Sequence, residues 1–464
     1  MRYILFLVLF MITIPPVKAG PLHVDGSRFR TEDGRQILLR GVNVGGDTKV
    51  PPFRSIRGEK DFEPLRAWGF NSVRLMFNWE AFEAEPGVYD WDYLRYYRDM
   101  VDWAAQHDLY VIVDIHQDAF SRFAVSGCGE GFPRWALPPF QKPATPDNGE
   151  NCKAWSVKAF FDIGMHIAWH HFYKNTYGVR DRYLLMLQHL GQAVADAPNL
   201  VGFDLMNEPW GLEKSELPAL YYDAGSLLQS IRPNLILFLS AQILTSTGLV
   251  ASQLDPIPLP HIVHATHFYD PGLQTVKSWS PWTLKTANRH WKNLLERWQS
   301  PLYLGEFGAP ATLPNAVKYV DAIYDLMDQE LYSGAYWVYT PGWTDANKDG
   351  WNREDFSIND DKGQLRGMYR ARPYVEETPG DIMQMEWNEK SKRLALVYEA
   401  TVFPEEVKIA IPSRLEWIGV EALEGKRAQN CQLLNAHQLR CVHDPKARQA
   451  LRSLVFLFRE REGQ

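Results

Sequence analysis

The chain alternates eight short apolar, strand-like runs with helical patterns, and this alternation narrows the folds that it can adopt. Several runs are continuously apolar, which is typical of strands buried on both faces of a parallel sheet. The runs are Ile37–Val44, Ser72–Phe77, Tyr110–His116, Leu200–Met206, Leu235–Ser240, Ile262–Phe268, Leu302–Glu306 and Ala335–Tyr339. Eight strands that alternate with helices over about 330 residues predict an α/β fold of the (β/α)8 (TIM) barrel type.

The segments between these runs have helical periodicity. It is clearest in Tyr93–His107 and Arg182–Asp196, and it is also present in three further segments. These are Leu220–Ile231, Leu284–Trp298 and Ala316–Tyr332. An open, doubly wound sheet is the alternative arrangement. No glycine-rich phosphate loop follows the first run, which disfavours a nucleotide-binding version of that sheet.

Two flanking regions have the short alternating segments of antiparallel strands. Residues 22–36 contain the turn signals Asp25-Gly26 and Asp33-Gly34 and predict a β-hairpin. Beyond Arg372, short alternating segments separated by turn residues predict a C-terminal all-β sandwich. These segments are Leu394–Tyr398, Val407–Ile411, Trp417–Val420, Cys431–Leu434 and Leu454–Phe458. The predicted domains are therefore a barrel at 20–371 and a sandwich at 372–464.

Residues 1–19 have the pattern of a secretory signal peptide. Arg2 precedes the apolar run Ile4–Ile14, and Val17-Lys18-Ala19 has the form of a cleavage site. The sequence therefore predicts a secreted or periplasmic protein, with a retained amphipathic anchor as the alternative. The formal net charge is −7, and it becomes −9 once this segment and its two cations are removed. An acidic chain without a basic tract is not expected to bind nucleic acid.

The four cysteines predict disulfide bonds, because an even number is usual in exported proteins. The local pairs Cys128–Cys152 and Cys431–Cys441 are the simplest of the three possible connectivities. Neither pair has zinc-ligand spacing with a histidine.

Glutamates follow two of the predicted strands. Glu208 comes after the fourth run and Glu306 ends the seventh, so a barrel brings both to its C-terminal face. Because a buried carboxylate is costly unless it is paired or used, this pair indicates the two carboxylates of glycoside hydrolysis. Asn207 can hydrogen-bond a sugar 2-hydroxyl. The alternative for Glu306 is a structural role, paired with an arginine such as Arg74.

Other polar or aromatic residues lie at the ends of further strands. They are Arg74 in the second run, His116 and Asp118 at the third, His267 and Tyr269 at the sixth and Trp337 in the eighth. Each is weak evidence alone, and their convergence on one barrel face strengthens the prediction of a site. A metal site of His116, Asp118 and His267 is disfavoured, since close histidine spacing is missing, and no metal or cofactor is expected. An aromatic content of 13%, with 17 Trp, favours a sugar ligand, although most of the Trp are expected in the core.

These residues resemble glycoside hydrolase family 5 in their strand order. The motifs that carry the resemblance are Arg74, Asn207-Glu208-Pro209, His267-Phe268-Tyr269, Glu306 and Trp337. Within the family the chain is similar to endoglycoceramidases, which cleave between the glycan and the ceramide of glycosphingolipids. That similarity rests on the appended β domain and on the motifs Asp114-Ile115-His116-Gln117-Asp118-Ala119-Phe120-Ser121, Phe203–Pro209 and Leu304–Gly308.

The resemblance implies a retaining hydrolase with Glu208 as acid/base and Glu306 as nucleophile. It also implies a set of substrate-binding residues, namely Lys49, Arg74, His116, Asp118, Asn207, His267, Tyr269 and Trp337. The implied substrate is a glycosphingolipid, met in transient contact with a membrane or micelle surface. Alternatives are a β-glucanase, another lipid-glucoside hydrolase of the family, or a catalytically silent sugar-binding protein. The presence of both carboxylates disfavours a catalytically silent protein.

The stretch Ala119–Arg180 interrupts the alternation and is too long for an ordinary connection. Its aromatic content argues against disorder. Its apolar residues either contact lipid or pack the loop onto the barrel, and the sequence leaves both open. The residues in question are Phe132, Trp135, Leu137, Phe140, Phe160 and Phe161.

Overall fold

The structure is a computed structural model that describes residues 20–422, 431–442 and 451–462. The predicted signal segment 1–19 lies outside the described residues. Three short N-terminal strands come first, β1 (Leu22–Asp25), β2 (Arg28–Thr31) and β3 (Gln36–Ile37), and β1 and β2 form the predicted hairpin.

Eight parallel strands then form a closed barrel, and almost every residue in them is buried. The strands are β4 (Arg40–Val44), β5 (Ser72–Phe77), β6 (Tyr110–Ile115), β7 (Leu200–Asp204), β8 (Ile236–Ser240), β9 (Ile262–Phe268), β10 (Leu302–Phe307) and β11 (Ser333–Tyr339). They follow one another around the barrel in chain order, and β11 pairs with β4 to close it. The predicted (β/α)8 barrel is confirmed.

Helices cover the outside of the barrel and also occupy some of its loops. They are α1 (Glu63–Ala67), α2 (Trp79–Phe82), α3 (Trp91–Gln106), α4 (Trp155–Phe161), α5 (Ile163–Tyr173), α6 (Val179–Val194), α7 (Glu216–Ile231), α8 (Ile243–Ser246), α9 (Gly272–Thr275), α10 (Pro281–Trp298) and α11 (Ala316–Glu330). The five predicted helices correspond to α3, α6, α7, α10 and α11, with ends that differ by a few residues. Side-chain caps define some ends: the Asp90 carboxylate accepts from the Tyr93 N–H at 2.8 Å at the start of α3.

The C-terminal region consists of antiparallel strands in two sheets. The strands are β12 (Tyr374–Thr378), β13 (Gly380–Asn388), β14 (Arg393–Ala400), β15 (Glu406–Ala410), β16 (Leu415–Ala422), β17 (Cys431–Asn435), β18 (Gln438–Val442) and β19 (Leu451–Glu460). One sheet has the order β13-β14-β19-β16. The other has the order β1-β2-β3-β12-β15-β18-β17, and a shared apolar core lies between the two, as predicted for a sandwich.

The N-terminal hairpin belongs to the same sheet as the C-terminal strands. Ile37 of β3 pairs with Glu377 of β12, so both ends of the chain contribute to one sheet. The division of the chain into domains at residue 372 remains a prediction.

Both predicted disulfide pairs are present. Cys128 and Cys152 are bonded with 5.3 Å between their Cα atoms, and this disulfide lies in the long third loop. Cys431 and Cys441 face each other on β17 and β18, with 4.1 Å between their Cα atoms. Across the described ranges, every helix is too short or too polar to cross a bilayer.

Candidate active site

The two glutamates meet at the C-terminal face of the barrel. Glu306 lies near the end of β10, and Glu208 follows β7 by four residues. His267 of β9 lies between them, with Nδ1 2.9 Å from Glu208 Oε1 and 3.6 Å from Glu306 Oε2. One oxygen of each carboxylate lies within 4.8 Å of the other. This separation suits retaining glycoside hydrolysis, for which the carboxyl groups are about 5–5.5 Å apart, and is too short for inversion at about 6.5–9.5 Å.

Arg74 of β5 is the buried cation beneath the site. Its guanidinium donates to Asp114 at 2.8 Å, to Asp204 at 2.8 Å and to Glu306 Oε1 at 3.1 Å. It also donates to the Asn207 side chain at 2.9 Å. The side chain has no exposed surface, so it holds Glu306 and Asn207 in place from below. The alternative in which Glu306 pairs with Arg74 is therefore part of the same site.

Glu306 receives a second hydrogen bond from Tyr269, which follows β9. The phenol donates to Glu306 Oε2 at 3.1 Å, while Arg74 donates to Oε1. Gly305 allows close packing behind Glu306, because a Cβ there would lie 2.8 Å from the His267 ring. Both oxygens of Glu306 are thus oriented by donors, one from β5 across the barrel and one from the residue after the neighbouring strand β9.

Glu208 is set in a less polar environment than a surface carboxylate. Burial raises the pKa of its carboxyl group, the hydrogen bond and charge of His267 oppose this, and the charges of Glu306 and Asp118 add to it. The net direction is upward. Burial alone would lower the pKa of His267, but the charges of Glu306 and Glu208 outweigh it, and the pKa of the imidazole is raised. Both carboxylates therefore favour the charged form of His267, which lies between them.

The backbone at Glu208 is in the left-handed region, with φ of 38°. Such a conformation costs a non-glycine residue about 1–3 kcal/mol and persists where its surroundings enforce it. Gln117 provides that support, because its side-chain amide donates to the carbonyls of Asn207 at 2.6 Å and Glu208 at 3.0 Å. The Asn207 amide donates in turn to the Gln117 carbonyl at 3.1 Å.

A second group of charged residues lines the other half of the site. Lys49 Nζ lies 2.5 Å from Asp118 Oδ2 and 4.4 Å from the centre of the Trp337 ring. His116 stacks on Trp337 at 5.4 Å between ring centres, and its Nδ1 lies 2.6 Å from Asp114. Burial opposes the charge on His116, but Asp114 and Asp118 outweigh it and raise the pKa of the imidazole to about 10. The ten predicted site residues are therefore all brought to one region of the barrel face.

Two glutamates in this region, the buried Glu130 and the half-buried Glu354, were not predicted from the sequence. Glu130 lies 3.8 Å from His116 Nε2, and burial raises its pKa to about 8 against the charges of His116 and Lys49. Glu354 accepts a hydrogen bond from the Trp155 indole at 3.0 Å. Burial raises the pKa of Glu354 to about 7 against the charge of Lys49. Both residues lie in loops, where neither strand pattern nor motif marks them.

Two triads of acidic and histidine side chains have spacings that a metal ion would also use. They are His116–Asp118–Glu130 and Glu208–His267–Glu306. A cationic side chain of the protein contacts each triad: Lys49 contacts Asp118 in the first, and Arg74 contacts Glu306 in the second. The expectation that the protein needs no metal or cofactor stays a prediction.

A (β/α)8 barrel that presents two adjacent carboxylates at its C-terminal face defines a glycoside hydrolase. Residues 31–342 match the family model for cellulase (glycosyl hydrolase family 5), and the chain therefore belongs to this family.

Relatives with curated names include enzymes of glycolipids. The chain is 38% identical to a glucosylceramidase of Aspergillus fumigatus over 141 residues, which cover 25% of this chain and 18% of that protein. It is 29% identical to endoglycoceramidase I of Rhodococcus hoagii over 197 residues, 42% of this chain and 38% of that protein. The matched part thus spans less than two fifths of either relative, and the predicted resemblance to endoglycoceramidases is confirmed.

Solved structures share the fold over nearly the whole chain. Endoglycoceramidase II from Rhodococcus sp., in a complex with ganglioside GM3, has a TM-score of 0.75 at 22% identity and covers 93% of this chain and 99% of that one. Sterylglucosidase 1 of Cryptococcus neoformans has a TM-score of 0.76 at 15% identity, with 97% of both chains covered. At these identities the likeness concerns the fold.

Proposed function

We propose that this protein is a retaining β-glycosidase that hydrolyses the bond between glycan and ceramide in glycosphingolipids. The observation that carries the proposal is the pair Glu208 and Glu306, with oxygens within 4.8 Å and His267 between them. The lipid part of the proposal draws on the relatives named endoglycoceramidase and glucosylceramidase.

In the proposed reaction, Glu306 is the nucleophile and Glu208 the acid/base. A Glu306 oxygen attacks the anomeric carbon while Glu208 donates its proton to the glycosidic oxygen, and ceramide leaves as an alcohol. Water then attacks the glycosyl-enzyme and gives its proton to Glu208, which releases the sugar and restores both carboxyl groups. The raised pKa of Glu208 suits the first step, because the group must be protonated when substrate is bound.

The remaining residues divide into those that contact the sugar and those that position other residues. In this proposal Lys49, Asp118 and His116 bind hydroxyl groups, and Trp337 lies under the sugar ring. Tyr269 and Asn207 border the reacting carbon. Arg74 and His267 act through the two glutamates, because Arg74 is fully buried and His267 is nearly so.

Exposed apolar residues of the third loop suit contact with the lipid. Phe161 is 74% exposed and Phe160 47%, and the Phe160 ring lies 6.3 Å from Trp210, two residues after Glu208. Phe132 and Leu137 are buried and pack the loop instead. Phe160 and Phe161 therefore lie near the segment that carries Glu208, and in this proposal they meet the lipid during transient contact with a membrane or micelle.

Export to a secreted or periplasmic location is also part of the proposal. Two disulfides are typical of oxidising compartments. The N-terminal pattern of residues 1–19 is the second reason.

The test is release of ceramide from purified glycosphingolipids in detergent micelles, with cellulose and laminarin as controls. We expect ceramide and free sugar, and little product from the polysaccharides. Strong hydrolysis of laminarin or cellulose without ceramide release would instead identify a β-glucanase. Sterol release from a steryl glucoside, again without ceramide, would identify another lipid-glucoside hydrolase.

A variant tests the lipid surface. The change Phe161→Ser should lower cleavage of a long-chain glycolipid and leave cleavage of a soluble aryl β-glycoside unaltered, since the ring is exposed and lies outside the sugar site. The matched change is Phe132→Leu in the buried part of the loop, which should affect both substrates together through the fold. Equal losses on both substrates for Phe161→Ser would contradict the role in lipid contact.

A further inference from the structure

The sugar end of the site is bordered by two loops that are bound to each other. The Asn352 side chain donates to the Cys128 carbonyl at 2.7 Å, and the Asn148 side chain donates to the Gly350 carbonyl at 2.8 Å. An ion pair of 3.3 Å joins Arg353 to Glu150. The loop after β6 is thus fastened to the loop after β11, and the Cys128–Cys152 disulfide closes the first of them.

Three side chains from these loops form what we call the glycone wall: Trp155, Trp351 and Glu354. The Trp155 indole donates to Glu354 at 3.0 Å, and its ring lies 5.0 Å from that of Trp351. Trp351 in turn lies 4.1 Å from Lys49 Nζ. The wall therefore stands directly against the sugar-binding lysine.

The wall covers Lys49 and Trp351 from solvent. Trp351 is 2% exposed and Lys49 is 3% exposed. Such low exposure for a lysine that is proposed to hold a sugar hydroxyl requires a cover beyond it. Trp351 lies directly against the lysine, and Trp155 packs on Trp351. Glu208 and Tyr269, at the reacting end of the site, are half-buried, as are Trp155 and Glu354 in the wall. No hydrogen bond or ring contact joins the wall to Glu208 within the described ranges.

We propose that the glycone wall closes the pocket after a single hexose, so that the protein takes lipids that carry one sugar. A second sugar on the far side of the first would have to occupy the position of Trp155 and Trp351. Glu354 then meets the outer hydroxyls of the single sugar, since no described residue donates to its Oε2. This inference rests on the proposed function and gives it a substrate class, a monohexosyl lipid.

The wall opens only if its members move together. Trp155 lies three residues from Cys152 and is bonded to Glu354, so its displacement would break that hydrogen bond and the ring contact with Trp351. Longer glycans would have to supply this energy in addition to their own ordering cost on binding. A large preference for one sugar over two follows from this arrangement.

The experiment compares one-sugar and two-sugar substrates in two forms. Soluble 4-nitrophenyl β-glucoside and 4-nitrophenyl β-lactoside test the wall without a lipid, and glucosylceramide and lactosylceramide in identical micelles test it with one. We expect kcat/KM to be roughly 100-fold lower or more for the lactosyl member of each pair, as expected where a substrate clashes with buried groups rather than losing one contact.

The variant Trp155→Ala removes the cover and should reduce this preference at least tenfold, mainly by raising lactoside cleavage. The matched control is Trp282→Ala, the loss of an exposed indole at the start of α10, which should leave the preference as it is. If Trp155→Ala does not fold, the preference of the parent protein alone decides the question.

The outcomes separate the two proposals. Equal cleavage of glucosylceramide and lactosylceramide would show that the glycone wall does not exclude a second sugar, while it would support the proposed function. A strong preference for the aryl glucoside over the aryl lactoside, with no ceramide released from either lipid, would support the exclusion of a second sugar by the glycone wall. It would also overturn the proposed function on lipids.

Discussion

The change His267→Asn tests how the two carboxylates are kept in different protonation states. His267 Nδ1 lies 2.9 Å from Glu208, and the charges of Glu306 and Glu208 raise the pKa of the imidazole, which favours its charged form. A cation beside Glu208 favours its charged form and so lowers the pKa of that carboxyl group, while burial raises it. Asparagine keeps an N–H donor near the same position but removes the charge.

The geometry sets the size of the expected change. At 2.9 Å and an effective dielectric constant of about 20, the interaction is about 6 kcal/mol as an upper bound. Opposite charges beside protein carboxyl groups shift their pKa values by about 1–3 units. Removal of the cation should therefore raise the pKa of Glu208 and move the basic limb of the rate profile to higher pH by about 1–3 units.

The measurement is kcat/KM for a soluble β-glucoside with a poor leaving group, whose departure needs the proton of Glu208, across the pH range in which the protein stays folded. His264→Asn is the matched control, a buried histidine on the same strand whose ring packs on Trp298 at 4.8 Å. Burial lowers the pKa of His264 to about 3, so its loss removes no charge. The control should lose stability and keep its basic limb. If His267→Asn also keeps the limb, the charge of His267 does not tune Glu208.

Three further changes test the roles of the charged residues. Glu306→Gln should lower activity by several orders of magnitude while substrate binding persists, and a fluorinated mechanism-based sugar should label Glu306 in the parent protein; labelling at another residue would overturn its role as nucleophile. Glu208→Gln should lower the rate about 10²–10⁴-fold for poor leaving groups and far less for an activated aryl leaving group, which needs no proton; equal losses on both would argue against an acid. Arg74→Met should lower the free energy of unfolding by about 3–5 kcal/mol, measured by urea denaturation, because it leaves buried carboxylates without their cation. Unaltered stability would mean that the carboxyl groups around Arg74 are not charged in the folded protein.

Much of the fold followed from periodicity along the chain. The eight runs predicted the barrel because each is a local pattern, a short apolar stretch buried on both faces. The second run, Ser72–Phe77, has the same bounds as β5. The first run, Ile37–Val44, corresponds to two elements, since β3 ends at Ile37 and β4 begins at Arg40. The run reads as one strand-like segment and gives no sign that the chain changes sheets within it.

Some elements lack a pattern from which they can be predicted. Helix α5 has little helical periodicity because it is apolar on its exposed side, at Ile163, as well as on its buried side, at Trp169. The strands β12, β13 and β18 were also missed. Strand β12 is buried along its whole length and contains Glu376 and Glu377, whose charges hide the strand pattern. Arg66 pairs with Glu376 and Lys408 pairs with Glu377, and these partners lie far away in the sequence.

The candidate site was predictable where strand ends carry it, and less so where loops do. Glu208 and Glu306 are marked by the strands before them, whereas Glu130 and Glu354 are not. Glu354 becomes recognisable only through Trp155, which lies 199 positions away and donates to it. Contacts between two long loops depend on the full fold and on the Cys128–Cys152 bridge, and no local pattern encodes them.

The division of labour between the two glutamates also depends on partners from distant strands. Glu306 accepts hydrogen bonds from Arg74 and Tyr269, donors that stabilise a carboxylate. Glu208 has His267 as its side-chain partner, and burial favours its protonated form. Two side chains of the same chemical type thus suit opposite tasks, one attacking as an anion and the other giving up a proton. The difference arises because Arg74 of β5 and Tyr269 after β9 donate to Glu306, whereas His267 of β9 lies closer to Glu208, at 2.9 Å, than to Glu306, at 3.6 Å.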